Sequence, residues 1–551
     1  MAISVIDDNA PASPPLTPRP NPPKVLMIHP KFMGATFWEF KITSQLYGAE
    51  YPMPPLGLVT VAAMLPKDWD IRVLDRNVTT VTDADIAGAD FIMTGGMLPQ
   101  RTDILNVIAW AQRLGKKVAV GGPDIMSCPH IYETADFVVV GEAESVIGDL
   151  VDAWRRGEDR ARFDAEKYSV DVTQSPKPRF ELIDQSKYPQ FTVQYSRGCP
   201  FTCEFCDIIE LFGRRPRTKT NEQILAELKA IYDLGYRGHV DFVDDNLIGN
   251  KKAVKLFLPE LIKWQEEHGW PFDFSTEASL NLADDPELMR LMSQAGFTGV
   301  FIGIESPDPD VLVATKKKQN TKRDIAESVH MIYRNGIAIV AGFIVGFDEE
   351  KGAVGDGIAD LIEEAAIPVA MAGMLYALPN TQLTRRLEKE GRLHPPPDPT
   401  VELPTSDQCT QGLNFDTLRP REDILKDYLT VVQRVYEPSA FYRRVRRVAD
   451  LMRFPASNID LFRSGFSKNA MFVVRLCWWM GVRAPCAKRH FWRTLLYVAW
   501  RDHRALESVF LAIAAYAHIG PFSRTVVQSI EEKIADLKAA EANAEPALAA
   551  E

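Results

Sequence analysis

The feature that most constrains this chain is a repeated alternation. From residue 24, short runs rich in β-branched residues alternate with longer amphipathic segments, in two blocks separated by a polar stretch. In the first block the runs are KVLMIHP, WDIRVLD, DFIMTGGM, KKVAVGG and DFVVVG. Strands joined through helices cannot pair as hairpins; they lie parallel, with the helices covering both faces. Residues 23–157 are therefore expected to form a five-stranded, doubly wound α/β sheet. The second block, residues 191–400, carries six strand–helix units from TVQYS to VAMAGMLYALP, which fit an open, partial (β/α)6 parallel barrel. In such barrels the reacting groups stand at the C-terminal ends of the strands.

The rest of the chain is divided by composition. A length of 551 residues exceeds what one core supports, so several domains are expected. Residues 1–22, rich in Pro, Ala, Ser and Asp, read as a disordered tail without the charged-then-apolar pattern of a signal peptide. Residues 158–190 are polar, Pro-containing and aperiodic, and read as a linker. Past residue 400 the strand pattern stops, and residues 401–551 read as an all-α domain whose Ala/Glu-rich end frays.

Charge and cysteine usage narrow the function. The formal charge of −11 conceals a basic segment: residues 434–504 hold fifteen Lys or Arg against four Asp or Glu. Because the whole is acidic and no nucleic-acid motif occurs, nucleic acid is not expected as a partner. The most apolar stretches, 470–482 and 509–520, are too short or too interrupted to span a bilayer. Trp478, Trp479, Trp492 and Trp500, interleaved with Arg, suit a membrane-surface face or a pocket for a lipid-like substrate, and equally the ordinary core of a helical domain. Seven cysteines, an odd number, argue against a disulfide framework and for a reducing, cytoplasmic setting, with peripheral contact at the inner membrane face as a variant. Cys128, Cys409, Cys477 and Cys486 have no ligand-like spacing.

Three cysteines do. Cys199-Pro-Phe-Thr-Cys203-Glu-Phe-Cys206 places three thiols on one loop directly after the first barrel strand. Three thiolates hold three irons of a [4Fe–4S] cluster and leave the fourth open, unlike the four-cysteine ligation of an electron carrier. Zinc is the competing reading, but a structural zinc site wants a fourth nearby Cys or His, and His239 is far along the chain. In the first block, glycine turns end the strands at Thr94-Gly95-Gly96, Gly121-Gly122-Pro123 and Gly141-Glu142, where doubly wound sheets leave a crevice for an extended ligand. Glycines there also serve tight turns alone, and the domain by itself leaves both readings open.

The cysteine segment resembles the radical S-adenosylmethionine (SAM) superfamily, whose pattern CxxxCxΦC it matches in full, with Phe205 as the aromatic. The resemblance implies further sites in order along the barrel. Asp244, Asp245 and Asn246 end the strand where the family holds the SAM amino group. Glu277 stands at a comparable point on the third strand, and Glu305 with Ser306 ends the fourth, in a region of ribose or carboxylate contacts. Gly342, Ile344 and Gly346, followed by Glu349, fit the family's adenine-contacting GxIxGxxE strand. Each acidic residue has a plainer alternative as a helix cap or ion pair at the barrel lip.

A Rossmann-like sheet followed by this barrel resembles the cobalamin-binding radical SAM class over residues 24–392. That resemblance makes Thr94, Gly95, Gly121, Gly122, Gly141 and Glu142 expected cobalamin-domain contacts. The DxHxxG motif with a lower axial His is absent; only His29 stands after the first strand, and it reads as a strand-end cap rather than a cobalt ligand. CEFCDIIELFGRRPRTKT, VDFVDDNLIGNKKA and LYALPNTQLTRRLEKEGRL resemble the group containing the hopanoid C-2 methylases. The implied reaction is methyl transfer from methylcobalamin to a substrate carbon radical made by a 5′-deoxyadenosyl radical. Its implied partners are a small-molecule or lipid substrate and a low-potential donor such as flavodoxin or ferredoxin. A cyclase or oxidoreductase using the same cofactors, resembling the anaerobic oxidative cyclase of bacteriochlorophyll synthesis, and a non-catalytic cobalamin or redox sensor are the alternatives.

Overall fold

A computed structural model describes residues 19–33, 37, 39–395, 409–453 and 466–548. The first sheet contains β1 (Lys24–His29), β2 (Asp70–Asp75), β3 (Phe91–Gly95), β4 (Lys117–Gly121), β5 (Phe137–Val140) and β6 (Ala161–Asp164). All pair in parallel, in the order β2-β1-β3-β4-β5-β6. Alternate residues of β1 enter different cores: Val25 and Met27 pack with Phe91 and Trp154 on one face, Leu26 and Ile28 with Ile92 and Ile104 on the other. A sheet covered on both faces needs apolar residues at every position, which is why these strands read as continuous apolar runs. The order reverses between β1 and β3, so the crevice of this sheet lies at the ends of those strands, beside His29 and Gly95.

Six strands form where five were expected. β6 lies within residues 158–190, the stretch read as linker, and pairs with β5 as Val138↔Arg162 and Val139↔Phe163. Its sequence, ARFD, is too short and too polar to signal a strand; it lies at the sheet's edge, where Arg162 and Asp164 pair with each other at 2.7 Å. The expected tail, residues 1–22, is described from Arg19 onward. Residues 1–18 lie outside the described residues, but the Arg19 guanidinium stacks 4.7 Å over Trp154, whose indole N–H donates to the Pro20 carbonyl at 3.3 Å.

The second sheet contains β7 (Phe191–Val193), β10 (Gly238–Phe242), β11 (Phe272–Glu277), β12 (Phe297–Glu305), β13 (Ala338–Val345) and β14 (Val369–Met374). It is parallel throughout in the order β14-β13-β12-β11-β10-β7, the expected partial six-stranded barrel. Between β7 and β10, β8 (Ser196–Arg197) and β9 (Arg217–Thr218) form a separate antiparallel pair. β13 shows the barrel's two-residue period: Ile339, Ala341, Phe343 and Val345 are buried in the barrel's main core, while Ala338, Val340, Gly342 and Ile344 are only half-buried on the opposite face.

The C-terminal region is helical. Helix Arg421–Tyr436 lies along the last barrel strand, where the Tyr428 hydroxyl donates to the Ala372 carbonyl at 3.1 Å. The long helix Leu506–Leu548 is long and apolar enough to cross a membrane by composition. Its Ile519, Phe522, Val526 and Ile530, however, are buried in the barrel's main core, so it serves as a core helix. The segment after β1 reaches the same region: Phe37 packs edge-on against Phe522 at 4.8 Å, and Tyr47 stacks on Phe472 at 4.1 Å.

Candidate active site

The three cysteines occupy the hairpin closed by β8 and β9. At its base Gly198 has φ +93°, and a Cβ there would come within 2.9 Å of the Gly213 carbonyl oxygen. Only glycine permits this crossing of the two arms, which the Cys199 N–H secures by donating to Gly213 at 3.2 Å. The barrel holds the hairpin from below. Asp244 accepts from the Tyr195 N–H at 3.0 Å and from both the N–H and hydroxyl of Ser196, while Asp245 accepts from the Gly198 N–H at 2.7 Å. Burial pushes these carboxyls up, to about 7 for Asp244 and about 6 for Asp245. Both residues expected to meet the SAM amino group thus anchor the backbone leading into Cys199. Asn246, the third, is buried, with its amide 3.8 Å from the Cys199 sulfur and 3.1 Å from the Ser279 hydroxyl.

Around Cys203 and Cys206 the structure assembles groups that the sequence reading missed. The Lys317 ammonium is buried, pairs with Glu305 at 2.6 Å and lies 5.8 Å from the Phe205 ring centroid. Burial alone would lower its pKa, but Glu305 and the two thiols outweigh that and hold it above its ordinary value. Glu305 has φ 70°, and its strand end is held by the Asn320 amide, which donates to the carbonyls of Gly303 and Ile304 at 3.0 Å. The Gln319 amide donates to the Cys203 sulfur at 3.6 Å, leaving its own Oε1 buried and unpaired. Ser306 accepts from the Asp308 N–H at 3.1 Å, a turn rather than an open contact. Lys317 stands in a lysine run that reads as a solvated face; Lys316 and Lys318 are exposed, and only burial sets Lys317 apart.

Glu277 ends β11 with solvent-accessible surface; its carbonyl accepts from the Thr276 hydroxyl at 3.4 Å, and its carboxylate has no hydrogen-bond partner among the described residues. The surrounding protein, with the carboxylates of Asp241, Asp245 and Asp244, raises it to about 8. On β13 the expected glycines have physical reasons: Gly342 faces the Phe301 ring, 3.1 Å from where a Cβ would stand, and Gly346 has φ +109°. The Gly346 N–H donates to Glu350 at 2.9 Å, and Glu350 pairs with Arg419 at 2.8 Å. The carboxylate that caps this strand end is therefore Glu350, one residue beyond the Glu349 of the motif reading. Ile344 lies half-buried on the Gly342 side of the strand.

The sheet domain meets the cysteine hairpin directly. Arg197 and Arg217 are register partners in β8 and β9, two like charges facing across an antiparallel pair. Glu142, after β5, accepts from Arg197 at 2.9 Å and from Arg217 at 2.8 Å, and Glu144 pairs with Arg197 at 2.8 Å. Glu142, expected among the cobalamin-domain contacts, closes the base of the hairpin. The Asn380 amide adds a second tie, donating to the Ser127 carbonyl at 2.7 Å. Thr94 donates to the Ile28 carbonyl at 2.9 Å, and a Cβ on Gly95 would collide with the Gly121 carbonyl oxygen. Gly122 has φ +105°, and Gly141 has φ +108° with Ala165 only 2.7 Å from a Cβ position. These glycines let neighbouring loops pack together at the crevice. His29 lies 3.3 Å from the Gln100 amide nitrogen, and burial lowers its pKa.

The donor set fits an iron–sulfur cluster. Three free cysteines on one hairpin would each meet a different iron and leave the fourth iron open. Burial pushes the Cys199 and Cys206 thiols up, so these sulfurs would become thiolates on binding a strong positive centre. At the sheet's crevice, Gly95, Gly122 and Gly141 stand where a Cβ would meet neighbouring backbone or Ala165, so backbone rather than side chains borders the place where an extended cofactor would lie.

Comparisons with known proteins agree. Residues 47–151 match the B12 binding domain, residues 193–361 the radical SAM superfamily, and residues 381–532 a domain of unknown function (DUF4070). An uncharacterized methyltransferase of Synechocystis sp. is 41% identical over 515 residues, covering 93% of this chain and 94% of the relative. The hopanoid C-2 methylase of Rhodopseudomonas palustris is 35% identical over 480 residues, covering 86% and 88%. The cobalamin-dependent SAM radical enzyme OxsB superposes with a TM-score of 0.56 over 96% of this chain and 81% of its own, at 16% identity. The methyltransferase TsrM of Kitasatospora setae gives 0.53 over 69% and 81%, also at 16%. With cluster-binding barrel, cobalamin sheet and full-length relatives in agreement, the chain belongs to the cobalamin-dependent radical SAM methyltransferase family, whose members use a [4Fe–4S] cluster, SAM and cobalamin.

Proposed function

We propose that this enzyme methylates an unactivated carbon of a lipid-like or secondary-metabolite substrate, drawing electrons from a flavodoxin or ferredoxin. When bound, the cluster and SAM supply a 5′-deoxyadenosyl radical that removes a hydrogen atom from the substrate, and cobalamin supplies the methyl group. The observation that carries the reading is the Glu142 contact, which locks the cobalamin domain to the base of the cysteine hairpin. Two cofactor domains in fixed register allow hydrogen removal and methyl delivery at one carbon.

Within this reading Cys199, Cys203 and Cys206 hold the cluster, and Asp244 and Asp245 hold the loop that carries them. Lys317 offers a buried cation for a carboxylate, with Glu305 fixing its ammonium. The Glu277 carboxyl, protonated up to about pH 8 and free of hydrogen-bond partners among the described residues, offers a hydrogen bond at the barrel mouth. Phe301, Val340 and Ile344, half-buried on one face of β12 and β13 at the margin of the main core, offer an apolar wall suited to a hydrocarbon.

The test is anaerobic turnover of reconstituted enzyme with methyl-deuterated SAM and lipid extract, read by mass spectrometry. Labelled lipid with both 5′-deoxyadenosine and S-adenosylhomocysteine is expected. 5′-Deoxyadenosine with an unlabelled oxidised or cyclised product would replace methyl transfer with the cyclase reading. A relative carries that second chemistry: an anaerobic magnesium-protoporphyrin IX monomethyl ester cyclase of Synechocystis sp. is 22% identical over 54% of this chain and 66% of its own.

A further inference from the structure

The helical domain leaves one apolar face uncovered. Of the thirteen exposed large hydrophobic side chains among the described residues, eight fall between Met471 and Leu511, which concentrates them on one part of the surface. Helix Phe466–Trp478 continues directly into the π-helical turn Trp479–Arg483. Along it Met471, Val474, Trp478 and Val482 recur at helical spacing and share one face. On helix Lys488–Arg501, Trp492, Leu496 and Trp500 recur every fourth residue, with Leu496 71% and Trp500 82% exposed. The two stripes adjoin at Trp492, whose indole N–H donates to the Gly481 carbonyl at 3.1 Å and whose ring lies 2.8 Å from where a Gly481 Cβ would stand.

The two helices themselves carry charge of one sign, with Asp450 and Asp502 at the Arg501 end. Residues 466–501 contain seven Lys or Arg and no Asp or Glu, in a chain whose net charge is −11. Arg483, Lys488, Arg489 and Arg493 are exposed, and among the described residues none of the four has an ion-pair partner. Such a face opposes self-association, because a two-fold contact would set like charges against each other. It is complementary to an anionic lipid surface, where Trp settles at headgroup level, aliphatic side chains enter the acyl boundary, and Arg meets phosphate.

We propose that the face formed by helices Phe466–Trp478 and Lys488–Arg501 docks the enzyme on an anionic lipid bilayer. The proposal concerns where the enzyme works and stands apart from what it methylates. Cosedimentation of full-length protein with vesicles of phosphatidylcholine, with and without phosphatidylglycerol, tests it. Wild type is expected to bind the anionic vesicles, less so in high salt, and to bind neutral ones weakly. Arg489→Glu with Arg493→Glu should weaken binding to anionic vesicles by at least about tenfold. Trp478→Ser, Leu496→Ser and Trp500→Ser together should abolish it without moving the melting temperature, since all three side chains are exposed. Wild type remaining with the supernatant, either variant binding as wild type does, or a wild-type dimer that the triple variant converts to monomer would overturn the proposal. 5′-Deoxyadenosine formed in vesicle-free solution by the same samples reports separately on the chemistry.

Discussion

Replacing Glu142 should open the cysteine hairpin. Its carboxylate is 4% exposed and bridges Arg197 and Arg217, themselves 13% and 12% exposed, which face one another across β8 and β9. Glu142→Met leaves Arg217 without a carboxylate and Arg197 with Glu144 alone in a low-dielectric site. Removing one partner of a buried pair costs about 3–5 kcal/mol. Glu144 still pairs with Arg197 at 2.8 Å, so the lower end applies, about 3 kcal/mol. That is a shift of about a hundredfold in the ratio of closed to open hairpin. Hydrogen exchange over residues 198–216 should speed up accordingly, and iron retained after reconstitution should fall, with the far-UV spectrum unchanged. The second arm is Glu142→Met with Arg217→Met, which removes charge from both sides. Its loss should be clearly smaller than the sum of the two single losses, because no uncompensated pair of arginines remains. Wild-type exchange and iron content in Glu142→Met, or strict additivity in the double variant, would refute the clamp.

Three further outcomes follow from the same geometry. Cys203→Ala should abolish the cluster and 5′-deoxyadenosine formation while cobalamin binding, read by absorbance, stays close to wild type; retained 5′-deoxyadenosine would remove the cluster assignment. Lys317→Met leaves Glu305 buried without its cation, a loss of about 3 kcal/mol or more, and should lower both the melting temperature and SAM affinity by equilibrium dialysis; unchanged SAM affinity would confine Lys317 to structure. Glu277 carries a pKa raised from 4.5 to about 8, so the folded apoprotein retains a proton that the unfolded chain loses. Its contribution is complete below about pH 4.5 and is lost as pH rises through about 8. Glu277→Gln should therefore flatten the fall in apoprotein melting temperature between those limits; an unaltered slope would show that the carboxyl ionises normally.

What the sequence disclosed and what it hid divide along a physical line. The strands of both sheets were legible because burial on both faces, or on alternate residues, is a local pattern: Phe91 to Gly95 and Ala338 to Val345 declare themselves within one element. The cysteines were legible because cluster ligation confines three thiols to one loop. β6 was hidden because an edge strand needs no apolar run, and Arg162 with Asp164 satisfies each other in solvent. Glu350 was hidden behind Glu349 because adjacent carboxylates are indistinguishable until the turn after Gly346 decides which one reaches back to its N–H.

The groups most specific to this site were the least legible, because their significance lies in contacts across long stretches of chain. Glu142 meets Arg217 across 75 residues, and nothing in GEAESV distinguishes a ligand-facing acid from one that neutralises two arginines. Asp244 and Asp245 likewise stand at a strand end, where Asp244 accepts from the N–H groups of Tyr195 and Ser196, and Asp245 accepts a single N–H, from Gly198, through one oxygen. Free hydrogen-bonding capacity at this mouth remains on the Glu277 carboxylate, on the second Asp245 oxygen and on Lys317, whose ammonium has donors beyond the one given to Glu305. Asp244, Asp245 and Glu142 thus build the cysteine hairpin, while the Glu277 carboxylate and the Lys317 ammonium keep hydrogen-bonding capacity beside it.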